Sequence, residues 1–174
     1  GLERFPTRYL RLTNRLLEEC QLQLGDMDAI AVSVGPGSFT GIRIGVSSAR
    51  GLAQVLGCKV IPVETLKTFP YHDTEYDGLF CPIFDARRNQ VYGGAYAWQN
   101  GEIVEAVPGG PYMLDEYLLL LESALSAFPS SPTSSSLSAS PLSSSQSHMY
   151  RVRFYGDGLK PYGQKVADWA AGQP

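Results

Sequence analysis

Residues 31–45 read AVSVGPGSFTGIRIG, and this stretch decides the fold of the chain. An alternating apolar run that ends at Val34 predicts a β-strand, and Gly35-Pro36-Gly37 predicts the turn that follows it. Ser38 and Thr40 offer hydroxyl groups where the next helix should begin. When a strand is followed by a glycine turn and then by a helix, the backbone N–H groups at the start of the helix face either an anion or a closely packed neighbour.

The spacing of the glycines excludes two common phosphate-binding loops. No Gly-Lys-Ser/Thr follows the turn, so it is not a Walker loop, and the glycines do not have the G-x-G-x-x-G spacing. Two functions stay open: a purely structural tight turn, or anion contact by a set of loop residues, namely Gly35, Gly37, Ser38, Thr40 and Gly41.

Composition limits the class of protein. The chain has 174 residues, 44% of them hydrophobic, which is enough for one domain or two small lobes with a core. A net charge of −3 argues against tight, autonomous binding of nucleic acid, which needs a basic face. The three cysteines are widely spaced and no apolar stretch is long enough for a membrane span. We therefore expect a soluble cytoplasmic protein without a disulfide framework and without a membrane partner.

The pattern of apolar residues and turn signals predicts ten elements and one irregular segment. A serine-rich stretch at 130–147 carries no charge and few apolar residues, which predicts a disordered surface loop. The predicted helices are 7–24, 40–56, 111–128 and one that runs through Trp169, and the predicted strands are 28–34, 59–63, 79–84, 91–98, 102–107 and 150–155.

The order of these elements predicts an α/β fold with two lobes. Residues 76–174 have the order β-β-β-α-β-α, with the serine-rich insert inside the unit. Residues 1–75 follow the same order without its three leading strands, so we expect them to form a partial N-terminal lobe.

Two further clusters could carry chemistry. Asp85-Ala86-Arg87-Arg88 falls at a predicted hairpin turn, where Arg87 and Arg88 could capture a phosphate or carboxylate. The alternative is a solvated turn in which Asp85 accepts hydrogen bonds from backbone N–H groups two or three residues on. A second glycine-rich turn lies between a predicted strand and a predicted helix and consists of Gly156, Asp157 and Gly158. It is either a plain turn or a loop like the one at Gly35-Pro36-Gly37.

No residue pattern predicts a metal site or a catalytic residue. His72 and His148 are the two histidines, and neither has a partner at metal-ligand spacing. Ser38 has no histidine nearby in sequence that could act as its base.

The GPGSFTG stretch followed by IRIG, the DARR stretch followed by VY, and the GDG turn resemble the TsaB (YeaZ) family. This glycoprotease-like family belongs to the machinery that makes threonylcarbamoyladenosine in tRNA. The resemblance implies a duplicated, actin-like ATPase (ribonuclease H-like) fold of β-β-β-α-β-α lobes. It also implies a non-catalytic partner that binds and activates the TsaD transferase, which modifies adenosine 37 of tRNA.

The resemblance further implies which partners the chain binds and through which residues. TsaE, a P-loop ATPase, would act through the complex, tRNA would be contacted only indirectly, and a homodimer is an alternative assembly. Association with TsaD would use the first two helices, here through one set of interface residues: Tyr9, Leu12, Leu16, Gly41, Gly45, Ser48 and Leu52. The small residues among them suit close helix packing, although they could equally pack on the protein's own sheet. No cofactor is implied, and weak nucleotide binding stays open.

The chain departs from the family pattern at both ends. Family members open with strands that contain an Asp-Thr-Ser stretch and continue beyond the position of Pro174, so we expect a fragment or a divergent short form. Uncovered strand edges would then lower stability unless a partner covers them. The second functional hypothesis is a nucleotide-binding, actin-like enzyme with ATPase or glycoprotease-like peptidase activity.

Overall fold

A computed structural model of the chain describes residues 5–127 and 151–172, with side chains from residue 11 onward. These residues form a mixed α/β structure whose element order is the predicted one. The chain divides into two units, Gly1–Thr65 (unit 1) and Leu66–Pro174 (unit 2). The lobe boundary predicted between residues 75 and 76 stays a prediction, and the serine-rich insert at 130–147 lies outside the described residues.

Unit 1 is a strand–helix–strand unit preceded by a helix. Its strands pair in parallel, with Ala29 opposite Lys59 and Ser33 opposite Val63. The second helix is therefore the crossover that parallel strands require. Its N-terminus is capped by a serine, and Gly57, with φ +70°, ends it in the left-handed conformation. The elements are α1 (Phe5–Glu19), β1 (Ala29–Gly35), α2 (Phe39–Leu56) and β2 (Lys59–Glu64).

The first helix is shorter than the sequence predicts. It ends at Glu19 and not at residue 24, and a short 3-10 helix covers Leu24–Asp26. Gln21 adopts a left-handed φ of +56°, and the N–H of Leu22 donates to the carbonyl oxygen of Leu17 at 2.9 Å. This is the hydrogen bond with which a helix closes at its C-terminus, so the chain turns before it reaches Gly25.

Unit 2 contains a four-stranded sheet with two helices on one face. The sheet order is β5-β4-β3-β6, in which β3, β4 and β5 are antiparallel neighbours and β6 runs parallel to β3. A 3-10 helix, Leu66–His72, precedes the sheet. The elements are β3 (Leu79–Arg87), β4 (Gln90–Gln99), β5 (Glu102–Met113), α3 (Leu114–Ala127), β6 (Val152–Tyr155) and α4 (Leu159–Ala171).

Both faces of this sheet bury apolar side chains. On the face of α3 and α4, the fully buried Tyr117 and Leu121 pack with Ile83 of β3. On the other face, Leu66 of the 3-10 helix packs with Phe80 and Tyr96. Alternate residues of a strand point to opposite faces, which is how β3 and β4 contribute to both clusters.

The sequence prediction places the start of the third helix, at residue 111, earlier than the structure does. Pro111 lies in β5 opposite Tyr92, and α3 begins at Leu114 with Asp115 and Glu116 in its first turn. Proline is tolerated there because β5 is an edge strand of its sheet, so the missing N–H interrupts no second ladder. The acidic residues suit a helix N-terminus, where negative charge is stabilising.

The two units bury very different apolar side chains. Among the described residues of unit 1, the buried apolar side chains are those of Ala49 and Ala53, whereas large aliphatic and aromatic side chains fill unit 2. Within the described part of the chain, no helix has the length and hydropathy to cross a membrane.

Candidate functional site

The glycine turn of unit 1 is held by its neighbours in the same unit. Gly35 is buried with φ +107°, and a Cβ atom there would lie 2.9 Å from Cδ1 of Ile42. The N–H of Thr65, just after β2, donates to the carbonyl oxygen of Gly35 at 2.9 Å. The hydroxyl groups of Ser33 and Thr65 are hydrogen-bonded at 2.5 Å. Glycine is required at this position because an L side chain rarely adopts that φ.

The hydroxyl group of Ser38 caps helix α2. It accepts a hydrogen bond from the N–H of Gly41 at 3.3 Å, while its carbonyl oxygen accepts from Ile42 at 2.8 Å. The turn residues Gly37 and Thr40 are exposed. One of the backbone N–H groups that an anion would need therefore already donates to a protein oxygen.

The Asp85–Arg88 cluster and the Gly156–Gly158 turn of unit 2 lie together and form one site. Strand β6 runs parallel to β3, and its last residue, Tyr155, pairs with Pro82. The continuation of β3 after Ile83 therefore lies beside the turn that starts α4. The N–H of Asp85 donates to Oδ1 of Asp157 at 3.1 Å, and the N–H of Gly158 donates to the carbonyl oxygen of Ile83 at 3.1 Å. Gly156 has φ +101°, and a Cβ atom on it would overlap that same carbonyl oxygen.

The carboxylate of Asp85 is the acceptor at the centre of this site. Its Oδ1 accepts a hydrogen bond from the N–H of Arg87 at 2.7 Å and another from the hydroxyl group of Tyr162 at 3.2 Å. The first bond is the one expected if Asp85 organises the turn through backbone groups two residues on. The second bond connects the hairpin turn to helix α4.

Tyr162 is the member of this site that the sequence did not indicate. Partial burial, the hydrogen bond to Asp85 and the negative charge of Asp85 raise the pKa of Tyr162 above its usual value. Its position four residues after Gly158 in α4 places it on the same side as the turn. That relation to Asp85 becomes visible only when the pairing of β3 with β6 is known.

The arginines lie at a strained turn. Arg87, Arg88 and Asn89 have consecutive positive φ values of 65°, 51° and 63°. A left-handed conformation costs a non-glycine residue about 1–2 kcal/mol. Both arginine side chains are exposed, and neither forms an ion pair with a carboxylate of the described residues. The N–H of Arg87 already donates to Asp85, so the anion role predicted for this cluster would rely mainly on the two guanidinium groups.

The predicted partner surface divides into two parts. Leu12 and Leu16 of α1 are 55% and 60% exposed, although both are large apolar residues. Gly45 of α2 faces its own strand, since a Cβ atom there would lie 3.9 Å from Val32. The remaining α2 positions are partly buried: Gly41, Ser48 and Leu52. The side chain of Tyr9 lies outside the described part of α1.

No group of three or more metal-ligating side chains occurs among residues 5–127 and 151–172. His72 is exposed and its ring lies 6.0 Å from that of Phe69. His148 lies outside the described residues.

A family model described as "TsaD: tRNA N6-adenosine threonylcarbamoyltransferase" matches residues 4–165 of the chain. Among curated proteins, the chain is 41% identical over 115 residues to the tRNA threonylcarbamoyladenosine biosynthesis protein TsaB of Bacillus subtilis, covering 66% of this chain and 50% of that protein. It is 36% identical over 108 residues to TsaB of Escherichia coli, covering 58% of this chain and 46% of that protein.

A solved structure of the same family is also similar to the chain. YeaZ from Pseudomonas aeruginosa is similar with a TM-score of 0.56 and 32% sequence identity, over 65% of this chain and 54% of that one. The chain spans about half the length, or less, of the TsaB relatives that it matches.

Proposed function

Because the chain belongs to the family described as tRNA N6-adenosine threonylcarbamoyltransferase, with curated relatives named TsaB, we propose that it acts in threonylcarbamoyladenosine formation. Its role would be that of a non-catalytic partner that binds and activates the TsaD transferase. The modified position would be adenosine 37 of tRNA, which the chain itself would contact only indirectly.

The observation that carries this proposal is the exposed apolar face of α1. Leu12 and Leu16 lie one helical turn apart on the same side of the helix, and both are more than half exposed. Apolar side chains paired in this way on a polar helix are typical of a surface that another protein covers. Residues of α2 also expose large apolar side chains, notably Phe39 and Val55.

The finer features belong to the same proposal. The chain would contain two actin-like lobes related by duplication, residues 1–75 and 76–174, a boundary ten residues after the one between the two units. TsaE would join through the complex, and a homodimer is the alternative assembly. The turns at Gly35 and at Asp85 and Gly156 would set the positions of the helices, and weak nucleotide binding there stays open.

The test is co-purification of the full chain with TsaD, followed by a tRNA modification assay with and without the chain. We expect Leu16→Asp to weaken co-purification and to lower modification, because a charge in an apolar contact is left without solvent or partner. Leu119→Asp in α3 is the matched control, since Leu119 is 63% exposed and lies outside the proposed surface.

Equal modification with and without the chain would refute the activating role. Equal losses for Leu16→Asp and Leu119→Asp would remove α1 as the contact surface. Tight binding of ATP and Mg²⁺ with turnover by the purified chain would favour the second hypothesis, a nucleotide-dependent enzyme.

A further inference from the structure

Unit 1 contains a groove between helix α2 and strand β2. Its volume is about 550 Å³, which falls within the range of small-molecule sites. Five residues of α2 and one of β2 line it: Val46, Ser47, Arg50, Gly51, Gln54 and Val60. We call this the α2–β2 groove.

Polar side chains of one helix face line this groove. Ser47, Arg50 and Gln54 are three, four and seven residues apart, a spacing that aligns them on one side of α2. A hydroxyl group, a guanidinium group and an amide can all donate hydrogen bonds to an anionic oxygen. Helix α2 has no acidic residue, and Arg50 forms no ion pair with a carboxylate of the described residues. Its positive charge is therefore available to a ligand.

The rest of the groove is apolar or empty. Val46 and Val60 supply aliphatic contacts beside the polar groups. Gly51 is exposed, and a Cβ atom on it would meet nothing within 4 Å, so the groove is open to solvent on this side. A charged donor next to aliphatic walls and open space fits a molecule with an anionic group on an apolar body.

The groove does not include the α2 interface residues predicted from the sequence, although the exposed Phe39 and Val55 lie next to the groove side of α2. Helix geometry places Arg50 about 140° around α2 from Gly45, which faces strand β1. The proposed interface residues of α2, Gly41, Ser48 and Leu52, do not line the groove. An inference about the groove therefore does not depend on the proposed function.

We propose that the α2–β2 groove binds a small organic anion. Arg50 contacts the anionic group, either a carboxylate or a phosphate, and Ser47 and Gln54 add hydrogen bonds to it. The apolar body of the ligand lies against Val46 and Val60 and fills the space at Gly51.

The test is an NMR titration of the ¹⁵N-labelled full chain with phenyl phosphate and, separately, with benzoate. At least one probe should produce saturable shift changes in residues 46–54 and at Val60, with a dissociation constant in the millimolar range expected for one exposed charge pair and a small apolar contact. The comparison of the two probes distinguishes phosphate from carboxylate. Benzyl alcohol lacks the charge and inorganic phosphate lacks the apolar body, so both should bind more weakly.

Three variants test the assignment. Arg50→Gln should weaken binding by up to about fivefold, because the charge pair is lost and the shorter amide can offer only a neutral hydrogen bond. Gly51→Leu should block binding by filling the groove, and leucine is a better helix former than glycine, so the fold should be retained. Arg43→Gln is the control, because Arg43 carries the same charge on α2 but does not line the groove.

The proposal is overturned if neither anion produces saturable shifts at the groove, or if Arg43→Gln weakens binding as much as Arg50→Gln does. It is also overturned if Gly51→Leu, with an otherwise unchanged spectrum, still binds the probe with the original affinity. Saturable shifts confined to the turn of unit 2 would count equally against it.

Discussion

Units 1 and 2 use the same turn in very different surroundings. In each, a strand of a parallel pair ends at a glycine with a similar positive φ, +107° at Gly35 and +101° at Gly156, and a helix follows. At Gly35 the atom closest to an added Cβ is the flexible end of Ile42. At Gly156 it is the carbonyl oxygen of Ile83, a backbone atom of a central strand.

The same contrast appears in the packing. Unit 2 packs Tyr96, Tyr117 and Leu121 away from solvent, whereas unit 1 buries two alanines among its described apolar side chains. Full burial of a large apolar side chain contributes about 1.5–3 kcal/mol, and an isolated two-stranded sheet is marginally stable in water. A local sequence signal thus specifies a turn equally well in both units, but the neighbouring side chains decide how rigidly it is held.

The largest expected effect comes from adding a methyl group at the two glycines. Gly156→Ala should lower the free energy of unfolding of unit 2 by about 4 kcal/mol, because the left-handed φ and the overlap with a backbone oxygen both add strain. Gly35→Ala should cost about 1–2 kcal/mol, since the end of Ile42 can move. Urea denaturation, followed by tryptophan fluorescence for unit 2 and by amide exchange for unit 1, measures both.

If Gly35→Ala proves as costly as Gly156→Ala, the turn of unit 1 is held as tightly as that of unit 2. The contrast drawn from burial would then be wrong.

A pair of leucine truncations tests the packing itself. Leu121→Ala should lower the free energy of unfolding by about 3 kcal/mol, because it leaves a cavity in a fully buried cluster. Leu16→Ala should change it by less than about 0.5 kcal/mol in the isolated chain, since the side chain is largely exposed. Chemical denaturation of the two purified variants supplies the comparison, and a loss of more than about 1 kcal/mol for Leu16→Ala would mean that α1 is already covered.

How much of this could be predicted from sequence depends on the range of the interaction. The order of elements followed from periodicity and glycine turns, which are local. The helix start at Pro111 was wrong because the tolerance of an edge strand for proline depends on sheet order. The contact of Asp85 with Asp157 and Tyr162 depends on the register of β3 with β6, which no local pattern encodes. Likewise, the periodicity of α1 indicates an apolar face but not what covers it.

A gain in stability is expected at the strained hairpin turn of unit 2. Arg88→Gly should raise the free energy of unfolding by about 1 kcal/mol, because glycine adopts the positive φ of this residue without steric cost. Arg50→Gly in α2 should lower it by about 1 kcal/mol, since glycine is a poor helix former. Thermal denaturation of the two variants should thus shift in opposite directions, and a parallel shift would contradict the role assigned to backbone strain.

The smallest expected effect is on the pH dependence of stability. The raised pKa of Tyr162 means that its neutral form is favoured in the folded state. Its contribution to the free energy of unfolding is therefore fully present below the usual tyrosine pKa of about 10, and it is lost as the pH rises through the pKa of Tyr162 in the folded state. Denaturation from neutral to alkaline pH should show a shallower fall for Tyr162→Phe than for the parent chain. Other tyrosines with raised pKa values, such as Tyr117, affect both chains equally. An identical fall in both chains would mean that the bond to Asp85 does not contribute.

The pairing of β6 with β3 has a consequence for the order in which unit 2 assembles during synthesis. Strands β3, β4 and β5 are consecutive antiparallel neighbours and can pair as soon as they leave the ribosome. The outer edge of β3, with Leu79 and Cys81, must then wait until β4, β5, α3 and finally residues 152–155 have been made. An unpaired apolar edge is the part of a nascent sheet that is most prone to join another chain. Within the sheet of unit 2, β6 is synthesised after the other three strands and protects β3, which is synthesised before them.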